Sequence, residues 1–518
     1  MYLYIICAVI GTVSSALAVL KNMHMFQLNS YKAGTHLKWI KKFLVKQWSQ
    51  MTVIIFALLA CFFDDTVLHI TLSVVFIIFI FANKPLKGAK KPLVYTSRVY
   101  RMLASTLIIY VAIIFLSLTF LSMYRFTMIA VSYALTPLIP VITNGMNFPI
   151  EALVRRWYVR DAMRILQSCK ELKIVGITGS YGKTSMKYYL SEILRTKYET
   201  LMTPHSFNTP MGISKTIREE LRATHEVFVC EMGLKYMHDI KEVCDIVNPE
   251  HGILTAIGPA HLETMGSIEN IIKTKFELAD AVKSKGMLFA NGDNEFIMAN
   301  MREQKYLTYG LNHDNDFHAY DVSTTDKGTT FSITYKKNGE EKRIENLRTQ
   351  LIGYHNVLNL TGAVAFSIFM GVEHDNIRQA LKKIVSPPHR LQLIKRGDVT
   401  IIDDAYNSNP SGSKAALDVL ALFGGYKILI TPGMVELGSE QESFNHTFGV
   451  QAASVCDYVV LVGEKQTIPI RNGLLSANFD QSKIFTVSHF KDGIDKAYAI
   501  QTEKQKILLL ENDLPDQY

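Results

Sequence analysis

Acidic residues are nearly absent from the first 150 residues of this 518-residue chain, where Asp64 and Asp65 stand against 13 Lys and Arg. The remainder holds 42 basic and 45 acidic residues, so the formal net charge of +8 comes from the first part. Because that part is apolar between its basic residues, its charge does not indicate a nucleic-acid partner. Cysteine is scarce as well. The six cysteines show no C-x-x-C spacing, which excludes a zinc ribbon and a disulfide framework.

Long apolar runs dominate the first part. Because a bilayer span takes about 20 apolar residues, the runs predict about five spans, at 2–20, 49–63, 66–83, 103–123 and 127–143. The loops 21–48 and 84–102 carry six Lys or Arg each and are expected to face the cytoplasm. The sequence therefore predicts a multi-pass protein of the cell (cytoplasmic) membrane, with the lipid bilayer as a partner and its catalytic domains in the cytoplasm. The basic loops either set this topology or hold an anionic lipid headgroup.

After the apolar part, short β-branched runs alternate with helical stretches. Strands are predicted at 172–178, 226–231, 251–257 and 286–290. This βα alternation is typical of a parallel sheet covered by helices. Residues 328–347 interrupt it with a predicted β-hairpin that turns at Asn338-Gly339.

A second βα series follows Pro387-Pro388, with strands predicted at 399–403, 427–431, 458–462 and 506–510. The predicted fold class is an α-helical membrane region followed by α/β, with a P-loop central domain and a C-terminal Rossmann-like domain. The predicted boundaries are 1–150 for the transmembrane region, 151–386 for the central domain and 387–518 for the C-terminal domain.

A Gly-rich turn between a strand and a helix is the most informative local pattern. Residues 174–184, Ile-Val-Gly-Ile-Thr-Gly-Ser-Tyr-Gly-Lys-Thr, place Lys183 and Thr184 at a helix N-terminus. Backbone amides at such a turn can surround a phosphate, while the lysine and a threonine-held metal offset its charge. Ile177 stands where the fullest form of the motif has its first glycine, and an ordinary turn is the alternative.

Three further residues carry chemistry only when they are taken together. Glu231 ends a predicted strand, where ligands of open α/β sheets gather. His261 follows the next strand, and Lys275 lies on the helix after it. Taken singly, each is more simply a surface charge or a structural loop residue.

In combination these motifs resemble the Mur ligases, the ATP-dependent amide-bond formers of peptidoglycan synthesis. The similarity covers about 172–500 and is greatest to the branch that adds D-alanyl-D-alanine to UDP-N-acetylmuramoyl-tripeptide. The motifs that carry it are Thr-Gly-Ser-Tyr-Gly-Lys-Thr (178–184), Asn-Thr-Pro-Met-Gly (208–212), Glu-Met-Gly (231–233), Ala-His-Leu-Glu-Thr-Met-Gly-Ser (260–267), Lys-Phe-Glu (275–277), Gly-Tyr-His-Asn-Val-Leu-Asn (353–359), Arg390, Asp-Asp-Ala-Tyr-Asn-Ser-Asn-Pro (403–410) and Met-Val-Glu-Leu-Gly (434–438).

The resemblance implies roles for named residues, with ATP and Mg²⁺ as cofactors. The catalytic set would be Lys183, Glu231, His261 and Lys275. ATP would be bound by Thr178, Gly179, Ser180, Tyr181, Gly182, Lys183, Thr184, Asn356, Arg390 and Asp404. Mg²⁺ would be held by Thr184, Glu231, His261 and, if it is carbamylated, Lys275. The substrates would contact Asn208, Thr209, Tyr406, Asn407 and Asn409.

The implied function is a membrane-anchored ligase that adds D-alanyl-D-alanine, or a similar amine, to a muropeptide carboxylate through an acyl phosphate. The chain departs from the family in three places, one of which is Pro-Pro-His-Arg (387–390) in place of a more glycine-rich hinge. No domain for gripping uridine diphosphate precedes the phosphate loop, so both a UDP-linked and a lipid-linked muropeptide acceptor remain open. The last strand runs Leu-Leu-Glu-Asn-Asp (509–513) where the family has a Lys-Gly-Ser type of ending. The alternatives are a Mur-like ligase for another envelope polymer or a poly-glutamate, and a membrane transporter driven by a P-loop ATPase.

Overall fold

The computed structural model describes residues 2–43, 55, 66–82, 92–119, 131–282, 286–303, 305–406 and 408–513. Two compact units are distinguished, one up to Arg156 and one over Trp157–Asp513. Each is described by itself.

The first unit is helical. Its helices are α1 Tyr2–Leu28, α2 Ala33–Phe43, α3 Thr66–Ala82, α4 Ser97–Thr119 and α5 Ile139–Ser168, the last of which continues into the second unit. A small core joins α1 to α4 through Met23, Phe26, Val99 and Met102, all fully buried.

The structure corrects the predicted membrane topology. Among the described residues, two stretches are long and apolar enough to cross a membrane, Val9–Leu28 and Ser97–Leu116, and the first is 56% buried within the protein. The predicted span 49–63 lies outside the described residues apart from Ile55, as do the first residues of 127–143. Helix α3 has only 17 residues. The second stretch is only 17% buried. Two candidate spans among the described residues do not support the five predicted, so the predicted multi-pass location in the cytoplasmic membrane is wrong. Core helices and spans share apolar composition and length, and the sequence pattern alone does not separate them.

The second unit begins with a nine-stranded sheet in the order β2-β3-β1-β4-β5-β6-β7-β8-β9. Pairing is parallel as far as β7 and antiparallel over the last three strands. The strands are β1 Lys173–Thr178, β2 Thr200–Met202, β3 Val227–Glu231, β4 His251–Leu254, β5 Leu288–Asn291, β6 Tyr306–Gly310, β7 Phe317–Thr325, β8 Gly328–Lys337 and β9 Glu340–Thr349. The hairpin predicted at Asn338-Gly339 joins β8 to β9, and both turn residues have positive φ, as its tight turn requires.

Helices cover both faces of this sheet, as the βα alternation predicts. They are α6 Lys183–Leu194, α7 Pro210–Glu220, α8 Asp239–Val247, α9 Leu262–Met265, α10 Ile268–Ala281, α11 Glu295–Met298, α12 Tyr354–Phe369 and α13 His374–Lys383. One core lies under α6 and α12, and the other lies under α7, α8 and α10. The carboxyl ends of the parallel strands are therefore the open edge at which loops can bind a ligand.

A six-stranded sheet completes the unit, in the order β10-β11-β15-β12-β13-β14, with β10 antiparallel. Its elements are β10 Gln392–Arg396, β11 Val399–Asp404, α14 Pro410–Ala421, β12 Tyr426–Thr431, α15 Gln441–Ala453, β13 Tyr458–Val462, α16 Ile468–Ser476, β14 Ile484–Val487, α17 Phe490–Ala499 and β15 Lys506–Glu511. The four strands predicted in this region are present, and β10 and β14 are additional edge strands.

Candidate active site

The predicted phosphate loop joins β1 to α6. Gly179 approaches the neighbouring strand so closely that a Cβ there would lie 2.0 Å from Thr255 Oγ1. Gly182 has φ of +79° at the N-cap of α6, a conformation that a residue with a Cβ adopts only under strain. Ser180 Oγ donates to Gly258 O at 2.9 Å, while Thr178 is buried and donates to Met232 O at 3.0 Å. These contacts fix the loop around the N-terminus of the helix.

Lys183 folds back over this loop. Its Nζ donates to Gly179 O at 2.7 Å and to Ser180 O at 3.3 Å. Burial lowers its pKa to about 8, although the Glu231 carboxylate opposes the shift. The ammonium group therefore stands over the loop, where an anion held by the loop amides would meet it.

Glu231 is the centre of a polar cluster at the end of β3. Thr184 Oγ1 lies 3.2 Å and Asn208 Nδ2 lies 3.1 Å from its Oε1. Burial raises the pKa of Glu231, whereas the charges of Lys187 and Lys183 lower it. The two charges together outweigh burial, so the net shift of the pKa is downward. The result is an ionised carboxylate beside a threonine hydroxyl, as the sequence predicts.

Lys187 also belongs to this cluster, although the sequence analysis did not predict it as a site residue. Its fully buried Nζ lies 3.0 Å from Glu231 Oε2 and also donates to His205 O. A lysine one helical turn after the phosphate loop is ordinarily solvated. Only the burial of this face of α6 shows that Lys187 is the partner of Glu231. Since Lys187 holds Oε2, Oε1 is the oxygen left beside Thr184.

Replacing Lys187 with methionine is expected to lower the free energy of unfolding by about 3 kcal/mol. The loss of one member of a buried ion pair leaves the other charge without compensation. Urea denaturation of the variant measures this value. Lys241→Met removes an exposed pair with Asp245 and should leave the free energy of unfolding nearly unchanged. An equally small effect at Lys187 would contradict the pairing.

His261 lies at the mouth of the site in a left-handed conformation, with φ of +60°. Its Nδ1 is 3.2 Å from Oε2 of Glu436, which follows β12 and also has positive φ, +64°. Non-glycine residues in this conformation are strained and are often found at functional sites. The contact joins the nine-stranded to the six-stranded part, and the sequence gave no local signal for it because the two residues are 175 positions apart.

Lys275 is buried on α10 and does not line either of the two cavities described below. Burial first, and the charge of Lys183 second, lower its pKa well below the usual lysine value. The structure therefore places Lys275 close enough to Lys183 to feel its charge. It also favours the neutral amine, the form that reacts with carbon dioxide to give a carbamate.

Two cavities meet at the phosphate loop. The smaller, of about 250 Å³, is lined by loop residues and by Glu231, His261, Arg390 and Tyr406. The larger, of about 460 Å³, lies between Tyr181, Asn356, Arg390 and Asp404, and its volume suits a small-molecule ligand. Arg390 borders both cavities and stacks on Tyr406, with Cζ 4.2 Å from the ring centre. Ser206 hydrogen bonds to the Tyr406 hydroxyl.

The remaining predicted residues have different surroundings. Asn356 borders the larger cavity, but its amide is used by Tyr189 and Ile352. Thr209 and Asn409 cap helices α7 and α14 by accepting from backbone amides, and Asn409 also borders the larger cavity. Asn407 lies outside the described residues.

Metal-binding residues are sparse. In the part of the chain that the structure describes, no three His, Cys, Asp or Glu side chains gather to hold a metal ion. The oxygen donors beside the loop, Glu231 Oε1 and Thr184 Oγ1, nevertheless suit Mg²⁺, which usually takes one or two protein ligands and completes its shell with water and phosphate oxygens.

Known proteins match the second unit. The Mur ligase middle domain matches residues 177–367, and the glutamate ligase domain of Mur ligases matches 389–511. UDP-N-acetylmuramoyl-tripeptide--D-alanyl-D-alanine ligase of Bacillus subtilis is 32% identical over 339 residues, which cover 64% of this chain and 71% of that enzyme. Seven further relatives of the same name are covered over 49–65% of their length.

Solved structures share the fold. A MurF structure from Acinetobacter baumannii has a TM-score of 0.61 at 24% identity and covers 70% of this chain and 78% of its own. MurF from Thermotoga maritima, in complex with ADP, has a TM-score of 0.60 at 23% identity, with coverages of 69% and 80%. Neither these structures nor the relatives support the predicted bilayer partner. The two matched domains and the Bacillus subtilis relative show that the chain belongs to the Mur ligase family, amide ligases that use ATP and Mg²⁺.

Proposed function

We propose that this chain joins D-alanyl-D-alanine, or an amine like it, to the carboxylate of a UDP-linked muramoyl tripeptide at the expense of ATP. The observation that carries the proposal is that Lys183, Glu231, His261 and Arg390 line one cavity at the phosphate loop. Cations beside an ionised carboxylate suit the transfer of a phosphoryl group, where catalysis is mainly positioning and charge neutralisation.

The nucleotide would occupy both cavities. Residues 178–182 would surround the phosphates with backbone amides, and Lys183 would exchange the loop carbonyls for phosphate oxygens. Asn356, Arg390 and Asp404 would contact the nucleoside or the phosphates from the larger cavity, which they border. The amide of Asn356 is already used by two protein partners, so its contribution would be to shape the cavity wall.

Mg²⁺ would be held by Thr184 and Glu231, whose oxygens lie together, with His261 and a carbamate on Lys275 at a second position. When bound, it would supply charge neutralisation for the phosphates. Lys187 would keep Glu231 ionised and oriented, and Glu436 would orient the His261 ring through Nδ1.

The reaction would begin when a substrate carboxylate oxygen attacks the γ-phosphorus of ATP, giving an acyl phosphate and ADP. The amine nitrogen would then attack the acyl carbon, lose a proton and release phosphate, leaving an amide. Lys183 and Arg390 would offset the charge on the transferred group.

Residues 151–386 would form the nucleotide-binding domain and 387–518 the domain that brings the amine. Tyr406 is exposed beside Ser206 and borders the smaller cavity. Together with Asn208 and Asn407 it would contact the joined substrates. Thr209 and Asn409 would act through the helices that they cap.

The test is incubation of the purified full chain with ATP, Mg²⁺, D-alanyl-D-alanine and UDP-muramoyl tripeptide, followed by mass detection. We expect one product, whose mass is the sum of the tripeptide acceptor and the dipeptide minus one water, and one ADP for each product molecule. In one parallel reaction a poly-glutamate replaces the muramoyl tripeptide as acceptor. In another, glutamate replaces the dipeptide as the amine. Product only in those reactions would overturn the proposed substrate while leaving the ligase chemistry intact. ATP hydrolysis that needs neither acceptor nor amine would overturn both.

A further inference from the structure

The last described strand ends on a buried acid. Glu511, in the Leu-Leu-Glu-Asn-Asp ending that departs from the family pattern, is 0% exposed at the carboxyl end of β15. Because β15 lies between β11 and β12 in the middle of the six-stranded sheet, this acid is surrounded by protein on both sides.

The strand register places Glu511 beside Asp404. The two residues are direct partners in the parallel pairing of β11 with β15, so their side chains point to the same face of the sheet. At this register the two carboxyl groups are close enough to shift each other's pKa. Glu511 Oε1 accepts from Ser408 Oγ at 2.5 Å, while Oε2 receives no donor from the residues that the structure describes. A hydrogen bond between two carboxyl groups requires that one of them keep a proton.

The surroundings decide which acid keeps it. Burial and the neighbouring Asp404 raise the pKa of Glu511 well above its usual value. Burial also raises the pKa of Asp404, but only to about 6, because Arg390, the Leu391 amide and Glu511 stabilise its ionised form. At neutral pH Glu511 is therefore the protonated acid of the pair and Asp404 the ionised one.

Of the other charged groups on the packed elements, Asp403 also raises the pKa of Asp404. Asp403, beside Asp404, pairs with His389 Nδ1 at 2.8 Å. Helix α14 carries Lys414 and Asp418, which pair with each other at exposed positions. The lysines of β12 and β15, Lys427 and Lys506, stand at the opposite ends of those strands.

We propose that Glu511 is a positioning residue whose protonated carboxyl donates a hydrogen bond to Asp404 and so holds Asp404 ionised as an acceptor at the wall of the larger cavity. The inference rests on the proposed function, since the donors that Asp404 would meet are the hydroxyl or amino groups of a bound nucleoside. Asp404 borders that cavity with Arg390 and Leu391, and Glu511 acts on the ligand only through it.

Binding of ADP to the full chain as a function of pH tests the role. In the wild type, affinity should fall as the pH drops through about 6, because Asp404 takes up a proton and ceases to be an acceptor. Glu511→Gln keeps a donor toward Asp404 and an acceptor for Ser408, so its affinity should stay within about twofold and its profile should not move. Glu511→Leu removes the donor. It should move the acid limb up by about one pH unit, which weakens binding about fivefold near pH 6 and less than about twofold at pH 7.

The matched control is Glu503→Leu, an exposed position before β15, which should leave the profile unchanged. A Glu511→Leu profile that matches the wild type, or a Glu511→Gln profile that shifts as Leu does, would overturn the proposal.

An infrared difference spectrum between the wild type and Glu511→Gln gives a second measurement, which requires neither a ligand nor the Leu variant to fold. At neutral pH it should contain the C=O stretch of a protonated carboxyl, and the absence of that band would overturn the proposal. Failure of the wild type to bind ADP would instead count against the proposed function, with the infrared band still deciding the protonation of Glu511.

Discussion

Substitution Lys183→Met is expected to lower the rate of ADP formation at limiting ATP by about 10⁴-fold. The Lys183 ammonium stands over the loop with Nζ 2.7 Å from Gly179 O, where it would meet the phosphates. Cations that stabilise a transferred phosphoryl group are worth about 10³–10⁵ in rate. The measurement is kcat/KM for ATP, with the muramoyl tripeptide and D-alanyl-D-alanine both at saturating concentration.

The fold of this variant should survive, since methionine keeps the apolar stem and removes a charge whose burial is itself unfavourable. Lys382→Met, an exposed change on α13, serves as the matched control and should leave kcat/KM within about twofold. A Lys183→Met enzyme that retained even a tenth of the wild-type value would place the triphosphate elsewhere.

The second large effect is expected at Lys275, where methionine should lower ligase turnover by about 10³-fold. The proposed carbamate would supply oxygen ligands of the kind Mg²⁺ prefers, and loss of one electrostatic contact to a developing charge costs about 10²–10³ in rate. In buffer depleted of carbon dioxide the wild type should slow and recover on addition of bicarbonate, whereas the variant should respond to neither treatment.

The carbamate also has a spectroscopic test. After equilibration with carbon-13 bicarbonate, the wild type should show a carbamate resonance that is missing from Lys275→Met. Lys273→Met changes an exposed lysine two residues earlier on α10 and should keep both the resonance and the activity. A resonance that persists in Lys275→Met, together with full activity, would remove Lys275 from the metal site.

Local patterns in the sequence predicted the parts of the site that each lie on one strand and the loop after it. The phosphate loop was predictable because Gly179, Gly182 and Lys183 owe their positions to backbone geometry within a few residues. Glu231 was predictable because the end of a parallel strand is where side chains of an open sheet converge. The two βα series likewise predicted four strands of each sheet, whereas β2, β6 and β7 of the nine-stranded sheet were not predicted.

Contacts between distant segments were not predictable in the same way. Lys187 has the sequence context of a solvated helical lysine, and only burial makes it the partner of Glu231. Glu436 and Glu511 acquire partners only when the six-stranded sheet has formed. Asn356 was predicted to bind ATP, but its amide is already used within the protein. The apolar runs of the first unit were ambiguous, because core helices and membrane spans share one composition and similar lengths.

The strand order of the second sheet has a consequence for biosynthesis. Strands β11 and β12 are close in sequence, yet β15 lies between them. While a ribosome is still making residues 399–505, the two strands leave a gap whose edges expose unpaired backbone groups, and direct pairing of the two would be a misfolded trap. This half of the enzyme can therefore mature only after β15 has emerged, and a nonsense codon between residues 488 and 505 would remove the centre of the sheet while leaving its edge strands.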